Sequence, residues 1–128
     1  MKPVIPVKII SLNNTTSEVN AVFDTGSYYT IIRTDKLPPD TQIIKNHKTF
    51  RTANKQGGLT IFGETILIIQ IGKKRVDDKV LVSAELGSEM LIGAKTMQSW
   101  DISIINTNGK TKINVAHDMR DPEITEVD

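Results

Sequence analysis

Apolar residues fall along the chain in short runs separated by polar clusters, and the dominant period is two, which suits strands. Residues 4–10 alternate loosely and read as a strand. Pro3 and Pro6 mark it as an edge or a terminal arm, since proline cannot donate to a ladder. The polar stretch 11–17 has the length of a hairpin turn, and 18–23 is the returning strand. Residues 30–33 continue as strand. Residues 34–40 form a loop because Pro38-Pro39 breaks both helix and sheet; Asp35 and Asp40 are solvated there. A strand over 48–53, the turn Asn54-Lys55-Gln56-Gly57-Gly58 and a second arm over 59–62 make a hairpin with a mobile tip.

Residues 65–71 are densely apolar, Gly72-Lys73-Lys74 makes a turn, and 75–82 is the next strand. These runs fit strands buried on both faces at the centre of a small barrel; their Ile and Val content disfavours short helices. A turn over 85–89 leads to Met90-Leu91-Ile92-Gly93-Ala94. Residues 101–105 and 110–115 form a terminal hairpin about Asn108-Gly109, a pair that tolerates positive φ at both positions. Beyond 115 the chain is acidic, contains Pro122 and has few apolar groups. The expectation is one domain over 1–115 and a disordered acidic tail over 116–128.

Composition sharpens this picture at three points. The 128 residues suit one domain with a modest core, and with 5% aromatic residues that core rests on Ile, Val and Leu. The net charge of +1, with opposite charges interspersed, gives no basic stripe for nucleic acid. The absence of cysteine excludes disulfides, a catalytic thiol and a cysteine-ligated metal. His47 and His117 stand apart in polar contexts and read as solvated side chains, so no metal site and no cofactor are expected. Without an apolar leader or spanning run, the expected location is the cytoplasm, away from membranes.

The candidate chemistry lies where Ala21-Val22-Phe23 runs into Asp24-Thr25-Gly26-Ser27. A carboxylate leaving a buried strand has its charged form disfavoured unless hydrogen bonds compensate. Gly26 lets the backbone turn sharply and a substrate approach closely. Thr25 and Ser27 bring hydroxyls that can fix the turn.

Asp24-Thr25-Gly26-Ser27 after an apolar strand resembles the catalytic signature of aspartic proteases. One copy in a chain of this length resembles the single-lobed, retropepsin-like branch, whose members pair two identical chains to make one site. Leu91-Ile92-Gly93 resembles the apolar-apolar-glycine strand that threads beside the catalytic loop in that family. The resemblance spans residues 4–115 in order of elements and is specific at these two points. It implies an all-β fold: a closed, small β-barrel-like acid-protease lobe with a flap hairpin over 50–62 and one short C-terminal helix. That helix spans 94–99 and carries Met97 and Trp100 towards the core.

The resemblance also assigns roles. Asp24 is the catalytic residue. Thr25 braces the two loops across a homodimer, Gly26 offers its backbone to substrate, and Ser27 hydrogen-bonds the outer carboxylate oxygen. Asn54, Lys55, Gln56, Gly57 and Gly58 form the flap tip over an extended peptide, while Tyr28, Ile31 and Ile92 shape side-chain pockets. Viral members carry acidic residues where Tyr28-Tyr29 stand and often an arginine in place of Ala94, so the interface ion pairs of those members are missing. Two carboxyls sharing a proton supply an acid and a base. Asp35, Asp40, Asp77, Asp78 and Asp101 lack the Thr-Gly context, so the second carboxyl is Asp24 of a second chain. The reading is an aspartic endopeptidase acting on peptides. The alternatives are a peptide-binding or assembly module that keeps the fold without cutting, and an unrelated β-domain.

Overall fold

The computed structural model describes residues 2–50 and 58–121, with the side chains of 46–50 outside that description. Nine strands and one α-helix are present among these residues: β1 (Val4–Ser11), β2 (Thr16–Phe23), β3 (Ile31–Arg33), β4 (Ile44–Phe50), β5 (Leu59–Ile71), β6 (Lys74–Ser83), β7 (Met90–Ile92), α1 (Ala94–Ser99), β8 (Ile102–Thr107) and β9 (Lys110–Val115). A single 3-10 turn, Thr34–Lys36, follows β3.

Seven strands form one sheet in the order β1-β2-β7-β3-β6-β5-β4, and a further pairing of β1 with β5 closes six of them into a barrel. Closure removes the free edges that an open sheet would expose. β4 lies outside the closed ring, paired to β5 alone. β7 threads between β2, to which it is parallel, and β3, to which it is antiparallel. This short strand carries the Leu91-Ile92 pair and places it against the end of β2.

The core forms because β5 keeps its alternation through thirteen residues. Leu59, Ile61, Leu67 and Ile69 point inward and are almost fully buried, while Ile66 on the other face is 47% exposed. The expected burial on both faces therefore holds for one face alone. Phe23, Ile9, Ile32, Val80, Val82, Met90 and Ile92 complete the centre. Each large side chain so buried contributes roughly 1.5–3 kcal/mol.

The structure also joins two segments that sequence reasoning separates. Residues 59–62 and 65–71 read as separate runs, yet β5 runs straight through Gly63 between them. A Cβ there would lie 2.5 Å from Ile43 Cγ2 and 2.6 Å from the Ile44 carbonyl oxygen. The glycine is needed for close approach of β4, and a register shift between Lys45 and Lys48 marks the same crossing. β4 begins earlier than expected for this reason.

α1 occupies the span expected of it, with Met97 buried and Trp100 donating its Nε1–H to the Asp77 carbonyl at 3.0 Å. β8 and β9 pair as the terminal hairpin, with Asn108 at φ 51° and Gly109 at φ 77°, as a two-residue primed turn requires. Residues 116–121, placed in the disordered tail by the sequence reading, are held to the body. Met119 N donates to the Arg75 carbonyl at 2.7 Å. Asp118, 1% exposed, accepts from Arg75 N and from Arg120 Nε. His117 lies between the Asp101 and Asp121 carboxylates, at 3.1 and 3.2 Å. The rest of the expected tail, 122–128, lies outside the described residues. No described helix is long and apolar enough to cross a membrane.

Candidate active site

β2 delivers Asp24. The parallel register Ala21 to Met90, Val22 to Leu91 and Phe23 to Ile92 ends there, and the Asp24 N–H donates to the Ile92 carbonyl at 3.0 Å. The chain then turns: Ser27 N donates to the Asp24 carbonyl at 3.2 Å, and Gly26 N to Asp24 Oδ1 at 2.9 Å. The second bond is the local side-chain-to-backbone contact that aspartate makes two residues on. A Cβ on Gly26 would sit 3.2 Å from Asp24 Oδ1, so a larger residue crowds the carboxylate.

The loop is pinned from below by the start of α1. Ala94 N donates to the Ser27 carbonyl at 2.6 Å and Lys95 N to the Tyr28 carbonyl at 2.9 Å. Gly93 packs directly on the Tyr28 and Tyr29 backbone, where a Cβ would meet the Tyr28 carbonyl oxygen at 2.7 Å. Thr25 and Gly26 are exposed. Thr25 borders an open hollow of about 470 Å³ between α1 and β8. The exposed Tyr28 and Tyr29 rings meet edge to face, with centroids 5.0 Å apart.

Three residues expected at the site act differently. Ser27 Oγ donates to the Tyr29 carbonyl at 3.1 Å instead of the Asp24 carboxylate. Ile92 is fully buried and cannot line a substrate pocket of its own chain; alternation along β7 turns Met90 and Ile92 inward and leaves Leu91 partly exposed. Its contribution is the carbonyl beneath Asp24. Ile31 is likewise buried, in a second cluster with Leu59, Ile61, Leu81 and Leu86. Of the expected flap tip, Asn54, Lys55, Gln56 and Gly57 lie outside the described residues. Gly58 has φ +76°, and the arms below it are paired, Phe50 opposite Leu59.

Four residues escaped the sequence reading. Lys2 Nζ sits 2.9 Å from Asp24 Oδ2, held there because the Phe23 N–H donates to the Pro3 carbonyl. Thr30 and Thr96, both buried, and half-buried Asp78 form a polar chain behind the loop. Thr30 Oγ1 contacts Thr96 Oγ1, Thr96 Oγ1 donates to Asp78 Oδ2 at 2.6 Å, and Lys95 Nζ lies 2.6 Å from Asp78 Oδ1.

Burial pushes the Asp24 carboxyl up, but the Lys2 hydrogen bond, the Gly26 amide and the Lys2 charge outweigh it. The result lies below the ordinary 3.8. The sign for stability follows from that depression. The contribution is present above the unfolded value near 3.8 and is lost as pH falls through the lower folded value. Lys2→Met therefore raises the Asp24 titration and removes this acid-side loss. Carbon-13 NMR of the side-chain carboxyl reads it, and an unmoved titration would show that Lys2 does not hold the group.

A closed barrel with a threaded apolar-apolar-glycine strand beneath an Asp-Thr-Gly-Ser turn is the architecture of an acid-protease lobe. Residues 1–105 match the model of the retroviral aspartyl protease family, and the chain belongs to that family. Among solved structures it resembles the EIAV protease complexed with the inhibitor HBY-793, with a TM-score of 0.54 at 17% identity over 82% of this chain and 93% of that one. It also resembles the retroviral protease-like domain of Ddi1 from Leishmania major, with a TM-score of 0.54 at 12% identity over 91% of this chain and 98% of that one. At such identities the likeness is one of fold. No curated protein sequence matches the chain.

Proposed function

We propose that the chain is an aspartic endopeptidase whose water is activated by two Asp24 carboxyls, one from each protomer of a homodimer. The observation that carries this reading is the placement of Asp24. Its side chain is 14% exposed, at the end of β2, one oxygen on the Gly26 amide and the other facing outward to Lys2. Among the described residues its carboxylate faces that amide and that ammonium, with no second carboxylate in hydrogen-bond contact. Acid and base from carboxyls alone need a pair, and like charges held close share one proton. Exposed Thr25 and Gly26 beside an open hollow leave room for a second copy of the loop, so the partner that completes the pair is the same chain.

In this reading Lys2 leaves Asp24 as the second carboxyl arrives, because an ammonium favours two ionised groups over one shared proton. The β4–β5 hairpin acts as the flap and covers an extended peptide that adds to the site as a strand. Tyr28 offers an aromatic wall.

A second reading is a peptide-binding module that keeps the fold without cutting. The Lys2–Asp24 pair favours it, since a neutralised lone carboxylate is stable in a single chain. Cleavage of a diverse peptide library from about pH 3 to 7, with mass determined in solution, separates the two. The endopeptidase gives a dimer that cleaves with a coupled, two-carboxyl pH profile. A folded protein that binds the peptides without cleaving them at any of these pH values supports the module.

A further inference from the structure

The peptide group between Ile92 and Gly93 is held on both sides. Its carbonyl accepts the Asp24 N–H at 3.0 Å, and its N–H donates to Thr30 Oγ1 at 3.1 Å. Thr30 and Thr96 are 2% and 0% exposed, so water does not stand in for a missing partner. Their hydroxyls have one proton each. A carboxylate facing an ammonium only accepts, so the Thr96 proton goes to Asp78. The Thr30 proton must then go to Thr96, and the Thr30 oxygen is left to accept from Gly93. Every bond in the row has one possible direction.

We propose that Asp78 is a positioning residue for Asp24, acting through an unbroken hydrogen-bond relay of Thr96, Thr30 and the Ile92–Gly93 peptide. The functional part of this proposal rests on the reading of Asp24 as a catalytic carboxyl. Asp78 is itself fixed from two sides, by Lys95 Nζ at 2.6 Å and by Lys79 N at 2.8 Å, both on Oδ1. That leaves Oδ2 for Thr96. Chained hydrogen bonds polarise one another, so the charge at Asp78 strengthens the Ile92 carbonyl as the acceptor for Asp24. The relay ties β6, α1, the loop just before β3, and β7 to the one amide at which β2 ends. It sets the height and tilt of the loop to a tolerance that apolar packing alone does not.

The test compares Thr96→Val, which keeps shape and loses the hydroxyl, with Thr96→Ser, which keeps the hydroxyl. Native-state amide exchange is read at Asp24 and Gly93 against the β5 core amides, and kcat and KM are measured where the protein cleaves. In Thr96→Val the Asp24 and Gly93 amides exchange about tenfold faster than global stability accounts for, and Thr96→Ser restores them. With activity, Thr96→Val loses kcat by about tenfold while KM stays within about twofold, and Thr96→Ser recovers it. If Thr96→Val does not fold, Asp78→Asn replaces it, with the same two amides expected to loosen. Equal exchange in the hydroxyl-bearing and hydroxyl-free proteins, or unmoved amides in Asp78→Asn, overturns the relay. Failure of the wild type to cleave any peptide sinks the endopeptidase reading and leaves the exchange result to decide the relay.

Discussion

On the endopeptidase reading, Asp24→Asn is expected to abolish cleavage, with kcat/KM falling by about 10³-fold or more, and to leave the fold standing. The asparagine keeps an oxygen for the Gly26 amide, 2.9 Å away in the wild type, so the turn survives. It cannot hold or share a proton as a carboxyl does. Loss of the contact with Lys2 changes stability little, because the lysine side chain is 57% exposed and screened by water. The stronger form of the experiment mixes mutant and wild-type chains after dissociation. If each site takes one Asp24 from each chain, random pairing at equal amounts leaves about a quarter of the wild-type activity per dimer formed. A site complete within one chain retains about half. The one-half result would remove the homodimer from the mechanism while keeping Asp24 in it.

Much of this architecture was legible locally. The strands over 4–10, 18–23 and 75–82 and the Asn108-Gly109 turn each follow from adjacent residues, whereas the bounds of α1 came from the family resemblance and the single inward face of β5 was read as burial on both faces. The threading of Leu91-Ile92 beneath Asp24 was legible by family resemblance. That β5 runs on through Gly63 was not legible, because the glycine answers to a close approach by atoms of Ile43 and Ile44, distant in sequence. Ile92 was given a pocket role because Met90-Leu91-Ile92 is apolar throughout, so its sequence does not show which residues turn inward.

The contact between Lys2 and Asp24 had a signal that went unused. Val4 faces Val22 in the β1–β2 hairpin, so continuing that register two residues sets Lys2 opposite Asp24. The Asp78 relay had none. Thr30, Asp78 and Thr96 come from a loop, a strand and a helix far apart in sequence, and only the closed barrel brings them together. The order of the held tail residues is of the same kind: Asp118 is buried because Arg75, on another strand, supplies its donor.

The largest structural effect falls on the threaded strand. Gly93→Ala is expected to destabilise the fold by about 3 kcal/mol, which for a chain of this size lowers the unfolding midpoint by about 10 °C. Backbone strain is not the cause, since Gly93 has φ −95° and ψ 178°, which any residue adopts. The cause is contact. A Cβ would press on the Tyr29 carbonyl oxygen and lie 2.7 Å from both the Tyr28 oxygen and the Tyr29 carbonyl carbon. These are backbone atoms of the loop that leaves Asp24, so no rotamer relieves the clash. Relief comes only by lifting the loop from α1, which breaks the bonds from Ala94 N to Ser27 and from Lys95 N to Tyr28. Thermal unfolding of Gly93→Ala beside Gly87→Ala reads the effect, because Gly87 has no atom within 4 Å of its added Cβ and should stay within about 0.5 kcal/mol of wild type. Equal midpoints for the two variants would mean that the loop yields easily at Gly93. A selective loss at Gly93, with residual activity falling further than the folded fraction, would show that the glycine sets the position of the carboxylate as well as the stability of the barrel.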